Sequence, residues 1–386
     1  VAIAATWCVF AGGAAWHSRR FTAVPMAVLA TALLLRLVLL ASPPTLSDDL
    51  FRYLWEGHIQ WAGFNPFLYP PEHPDLLPLR DSIYEKVAHR GVPTIYPPLA
   101  QWLFAGVSLF HSPLAWKGLA AAADLGIVWV LARNGRVWAA VLWALHPLPA
   151  VESAASGHLE PIAILLALWA LARFERNDTG GASLLATLGG GIKLLPVVLV
   201  PVLLRNRPRK EVIRFMGICG AVAGVVSIPY LGAGFELFRG FQTYARHWSH
   251  NASVFSGLLW LTGDPVQARL LGGIIGGGAV LWAWTRRLSP GEFLLWVAGA
   301  GVLLSPVVHP WYVLWPLAAG LWVGSWAFCV LASTCLLSYG VLQGYDPAVG
   351  GWKELSWIPW IEYPPLLVAL LVPHWRRWRT SAPVAA

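Results

Sequence analysis

Apolar runs about as long as a membrane is thick follow one another along this chain, separated by short clusters of arginine and lysine. A crossing helix takes ~20 such residues, or fewer where it lies buried among others, and the runs predict about nine to twelve spans. With 57% hydrophobic and only 12% charged residues, the 386-residue chain has too little charge to cover a soluble domain. The expected class is an all-α integral membrane protein, polytopic, forming one transmembrane domain over residues 1–386. No cleavage pattern precedes the first run, so that segment is expected to remain.

The formal charge of +8 is carried by Arg19-Arg20, Arg133 and Arg136, Arg173 and Arg176, Arg205 to Lys210, Arg286-Arg287 and Arg376 to Arg379. Clusters between apolar runs mark cytoplasmic loops rather than a nucleic-acid surface, so no nucleic-acid partner is expected. Cys8, Cys219, Cys329 and Cys335 sit in apolar surroundings without metal-ligand spacing, which predicts neither a disulfide framework nor zinc. Most of the 24 tryptophans fit an interfacial belt, while Trp55, Trp248 and Trp311, near polar stretches, are candidates for stacking on a sugar ring.

The long polar interruption from Ser47 to Gln101 stands apart. Leu50, Leu54 and Trp61 recur at helical spacing with Arg52 and Glu56 one turn apart, which predicts a short amphipathic helix from Asp48 to about Trp61, lying in the interface. Gly63 should stop it and Asn65-Pro66 prevent its resumption. Two readings of Ser47-Asp48-Asp49 stand side by side: a helix start with Ser47 as N-cap, or a pair of reactive carboxylates joined by Arg52, Tyr53, Glu56 and His58. If Arg19-Arg20 is cytoplasmic, a span over 22–42 delivers both acids to the other side, and 43–95 becomes an extracytoplasmic catalytic loop. Arg36, near the end of that span, would either snorkel or pair with the loop acids. The charged, proline-rich stretch from Phe64 to Thr94 cannot lie in hydrocarbon and should form a lid or acceptor surface. Two short apolar segments between Tyr96 and Leu131 make the topology awkward: two crossings would put Arg133 and Arg136 outside, so one segment is re-entrant or the charge rule is broken.

Four later stretches carry polar residues between apolar runs. His146 to Pro161 includes His158 and Glu160, either a site or a solvated turn. Lys193, after three glycines, is the single charge between Asp178 and Arg205, suited to a lipid phosphate or to snorkelling. Arg239 to Asn251 forms a second polar loop with Arg246 and Trp248, suited to a phosphosugar or to lipid headgroups. His309, between two prolines and followed by Trp311 and Tyr312, should face a cavity or loop.

The patterns Asp-Asp-x-x-Arg-Tyr-x-Trp-Glu-Gly, Gly-x-Asn-Pro and Tyr-Pro-Pro-x-x-Gln resemble the first extracytoplasmic loop of the GT-C glycosyltransferases. Ser-Gly-His-Leu-Glu, Tyr-Ala-x-x-Trp-x-x-Asn-x-Ser-x-Phe and Leu-Ser-Pro-x-x-His-Pro-Trp-Tyr-x-Leu-Trp extend the likeness over about residues 30–320. The closest resemblance is to bacterial polyprenyl-phosphate-mannose-dependent mannosyltransferases and, more distantly, the catalytic subunit of GPI mannosyltransferase I. It implies a GT-C fold, a bacterial plasma-membrane location with an extracytoplasmic site, a monomer, and transfer of a hexose, foremost mannose, from a polyprenyl-phosphate donor to a lipid-linked or glycan acceptor with inversion. In this reading Asp48 takes the proton of the acceptor hydroxyl, with Asp49 as alternative base or partner, and a divalent cation, Mg or Mn, would sit on this pair if on any residues. Lys193 with Arg246 or His309 would meet the donor phosphate, and Arg52, Tyr53, Glu56, Tyr96, Gln101, His158, Glu160, Trp248, Trp311 and Tyr312 would contact substrate. A transporter or flippase should show internal repeats, and none is visible. A glycan polymerase should depend on Arg and His rather than on a loop aspartate.

Overall fold

The computed structural model describes residues 2–344 and 353–371; the Arg376 to Arg379 cluster and part of the tryptophan-rich stretch before Tyr363 lie outside them. The described residues form helices without a strand, with one isolated parallel bridge between His250 and Val307. In chain order the helices are α1 (Ala2–His17), α2 (Met26–Ala41), α3 (Asp49–Trp61), α4 (Pro98–Ser108), α5 (Pro113–Arg133), α6 (Val137–Leu145), α7 (Pro147–Ala150), α8 (Glu160–Glu175) and α9 (Thr179–Ile192). They continue as α10 (Leu199–Leu204), α11 (Arg209–Ser227), α12 (Arg239–His247), α13 (Val254–Thr262), α14 (Pro265–Thr285), α15 (Pro290–Leu304), α16 (Pro310–Val323), α17 (Ala327–Thr334) and α18 (Ile358–Leu371).

Four helical stretches among the described residues, 113–133, 209–247, 265–285 and 327–344, are long and apolar enough to cross a membrane. The expected all-α polytopic class is what the chain adopts. α2 is shorter than the span read from sequence, because Pro25 and the polar residues after Ala41 leave 16 residues of helix. α4 has 11 residues, ~16 Å at the helical rise, about half of the hydrocarbon thickness. It is too short to cross alone.

The chain divides into two compact units: Val1–Ala32 with Val128–Pro149 and Ser249–Ala386, and Leu33–Ile127 with Ala150–Trp248. In the first, α1 packs on α6, and α13 to α18 follow each other in sequential contact. Arg136 lays its guanidinium 3.8 Å over the Trp322 ring, and buried Asn251 donates to Glu362 at 2.7 Å.

In the second unit α3 packs on α4, α4 on α9 and α11, and α8 on α9. α3 and α4 meet almost backbone to backbone, since a Cβ at Gly57 would stand 2.1 Å from the Phe104 carbonyl oxygen. Three polar side chains of α5 are buried and tie it to distant stretches. The Trp116 indole donates to the Gly157 carbonyl at 2.6 Å. Lys117 donates to the carbonyls of Leu39, Leu40 and Ser42, which end α2 and would otherwise be orphaned. Asp124 accepts from Arg36 at 2.8 Å and from Ser153 at 3.2 Å. Arg36 therefore neither snorkels nor reaches the loop acids; a carboxylate buried beside it is the nearer partner.

Arg239 to Asn251, read from sequence as a polar loop, is helical as far as His247, and the 3-10 stretch before it, Ile228–Phe238, is kinked at Gly234 (φ 52°). Gly240 in α12 lies so close to the stretch before Tyr96 that a Cβ there would meet the Thr94 carbonyl oxygen at 2.2 Å.

Candidate active site

α3 begins one residue later than expected. Asp48 holds the N-cap position without making a capping side-chain bond, and the Ser47 hydroxyl accepts from the Asp49 N–H at 3.2 Å. Ser47 is thus not the positional cap, and the Asp48 carboxylate is left to face outward. Its surface is exposed. The protein crowded around that opening, and then the charge of Asp49, push its pKa up to about 6. The other end of α3 follows the sequence: Gly63, at φ 86°, closes it with its N–H donating to Gln60 at 3.0 Å, and Asn65 turns the chain away.

Asp49 points the other way, with a side chain 32% exposed. Its Oδ2 accepts from the Tyr53 hydroxyl at 3.4 Å and lies 4.0 Å from Nε2 of His158. His158 belongs to the break between α7 and α8, where the backbone makes a π-turn over Val151–Ala155. Its Nδ1 is 2.8 Å from Glu152 Oε2, and both side chains are fully buried. Burial disfavours the imidazolium, yet the Glu152 hydrogen bond and charge, with Asp49 and Glu160 beyond, raise the pKa of His158. This stretch is no solvated turn: Glu152, Ser153, His158 and Glu160 all have no exposed surface.

Lys193 closes the C-terminal end of α9. Its Nζ lies 2.8 Å from Glu160 Oε1 and 5.3 Å above the Tyr96 ring, with 23% of the side chain exposed. A buried carboxylate holds this ammonium, so it does not snorkel to an interface. Tyr96 in turn meets the Tyr53 ring edge-on at 5.1 Å. Contacts thus run from Asp49 through Tyr53 and Tyr96 to Lys193 and Glu160. Residues distant in sequence meet at the first turn of α3.

Other candidates have different engagements. Arg52 pairs with Glu56 at 2.5 Å and donates to the carbonyls of Ala88, His89 and Val92, holding down the stretch over α3. Gln101, fully buried, donates to Glu56 at 2.7 Å and to Thr94 at 2.8 Å. Trp55 is fully buried against Tyr84, which removes it as a sugar platform. Trp248 packs on His89 at 4.7 Å, and Arg246 is exposed on α12. His309, Trp311 and Tyr312 belong to the other unit, where His309 is stacked between His250 at 4.8 Å and Trp311 at 4.3 Å. Among the described residues no group of three or more His, Cys, Asp or Glu side chains could hold a metal ion, so the donor set does not fit a built metal site.

Glu152, Lys117 and Asp124 were not singled out from the sequence. Lys117 and Asp124 did leave a signal, as ionisable residues inside an apolar run. Glu152 left a weaker one, beside His158 in the same polar break.

Residues 94–310, more than half of the chain, match the model of glycosyltransferase family 87. The chain belongs to glycosyltransferase family 87. No curated protein and no solved structure matches it. The matched part of this family 87 member contains Tyr96, Gln101, His158, Glu160, Lys193, Arg246, Trp248 and His309, and begins after Asp48 and Asp49. A family 87 member is a glycosyltransferase, and the helices are those of a membrane protein.

Proposed function

We propose that this family 87 enzyme has a GT-C architecture and transfers a hexose, foremost mannose, from a polyprenyl-phosphate donor to a lipid-linked or glycan acceptor with inversion, at the extracytoplasmic face of a bacterial plasma membrane. The observation that carries the reading is the meeting of Asp49, next to exposed Asp48, with the Lys193–Glu160 pair through Tyr53 and Tyr96. The acceptor oxygen attacks the anomeric carbon as the bond from that carbon to the phosphate oxygen breaks. The hydroxyl proton goes to Asp48, and the electron pair leaves with the polyprenyl phosphate. Asp48 suits the base role because it is exposed and its pKa of about 6 leaves it ionised at neutral pH while bringing it closer to the proton it must hold. Lys193 meets the charge growing on the leaving phosphate. Asp49, tied back by Tyr53 and His158, keeps negative potential beside the reacting carbon.

The short α4 supports the orientation. If α3 and α4 stay on the side to which α2 delivers Asp48, α5 is the next crossing and returns Arg133 and Arg136 to the side of Arg19 and Arg20, satisfying the charge rule.

The test is transfer of label from polyprenyl-phosphate-mannose to a crude lipid acceptor by purified protein, with and without chelator. Asp48→Asn is expected to lower the rate by about 100- to 10,000-fold, while Asp49→Asn retains measurable transfer. A wild-type protein that moves no sugar from any polyprenyl-phosphate donor would remove the reading and favour a carrier of lipid-linked sugars.

A further inference from the structure

We propose that Glu152 is a positioning residue for the transfer reaction, clamping His158 so that its imidazole orients Asp49 beside Asp48. Glu152 and His158 are both fully buried, 2.8 Å apart, and the other ring nitrogen lies 4.0 Å from Asp49. An imidazole gripped at Nδ1 by a buried carboxylate has a single orientation, and its Nε2 then faces Asp49 at ion-pair distance.

Stability alone does not account for the arrangement. Burying a carboxylate and an imidazole costs free energy that their attraction only partly returns, and an apolar pair of the same size would fill the space at least as well. The backbone here is a π-turn, a deformation found mostly where function requires it. The Trp116 indole braces the turn by donating to the Gly157 carbonyl at 2.6 Å, beside His158 itself. Tyr53 approaches the same Oδ2 of Asp49 from its own helix. Asp49 is thereby held from two sides, by a local helical neighbour and by a buried pair about one hundred residues away in the chain.

The inference rests on the transferase reading. It is tested on purified full-length protein with polyprenyl-phosphate-mannose as donor, comparing Glu152→Gln, His158→Gln and the double variant. Glutamine at 152 keeps the volume and a hydrogen-bond acceptor and removes the charge. The expected result is a fall in kcat of about 100-fold from misplacement of the carboxylate, with donor KM unchanged. The double variant should be no worse than His158→Gln alone, and Glu152→Gln should add little in an Asp49→Asn background. A wild-type kcat per folded molecule in Glu152→Gln, or additive losses in the double variant, would overturn the proposal. Should the single variant not fold, the double variant, which leaves no uncompensated charge, decides by the same kcat criterion. Failure of the transferase reading looks different: the wild type itself would transfer nothing.

Discussion

Asp48 and Asp49 are adjacent in the chain and opposite in circumstance: one open to solvent, the other drawn back toward a tyrosine hydroxyl and a buried imidazole. In the proposed base role Asp48 accepts a proton only when ionised, so kcat/KM should be level above neutrality and fall tenfold per pH unit below about 6, where its raised pKa lies. In Asp48→Asn this inflection should vanish from the pH–rate profile. Lys193 is argued the same way. Replacing it with methionine removes the charge proposed to meet the leaving phosphate and should lower kcat by about 100-fold in initial-rate assays, with Lys193→Arg recovering part of the loss. Both residues could be picked out from sequence because a charge between apolar runs is costly and so needs a purpose. What holds Lys193 could not. Glu160 lies 33 residues earlier in the chain, and only the packing of α8 on α9 brings the two to 2.8 Å.

Elements were legible in proportion to their periodicity. α3 ends where Gly63 and Asn65-Pro66 predicted and starts within one residue of expectation, because its apolar face repeats cleanly. Residues 239–247 read as loop because a glycine and a polar composition are also what a loop shows, yet they form α12, and no local pattern encodes its close backbone approach to Thr94. That contact gives a prediction. A Cβ at Gly240 would sit 2.2 Å from the Thr94 oxygen and 2.5 Å from that of Pro93, so Gly240→Ala must lift α12 off the Pro93–Thr94 backbone. Transfer should fall at least tenfold while the detergent-solubilised protein stays monodisperse in size-exclusion chromatography. A change made three residues away, at the exposed Thr243 backbone-capping hydroxyl, should matter little by comparison.

For the whole molecule the proposed orientation turns on α4. With α4 only 11 residues long, Glu85 and Asn206 fall on opposite sides of the membrane in the proposed orientation. A cysteine placed at exposed Glu85 should react with an impermeant maleimide on intact cells, and one at exposed Asn206 only after lysis; the reverse pattern would invert the enzyme. The sequence leaves this parity open because hydropathy reports how apolar a segment is, and the break at His111-Ser112-Pro113 does not say on which side of the membrane α4 ends. α5 carries a last consequence. Its Trp116, Lys117 and Asp124 secure the end of α2 and both flanks of the His158 break, while Arg52 grips the carbonyls of Ala88, His89 and Val92 in addition to the side-chain contacts of Tyr84 with Trp55 and Thr94 with Gln101. Carbonyl contacts are indifferent to side-chain identity. Side chains at 88, 89 and 92 can therefore change without loosening the grip of Arg52 on that backbone.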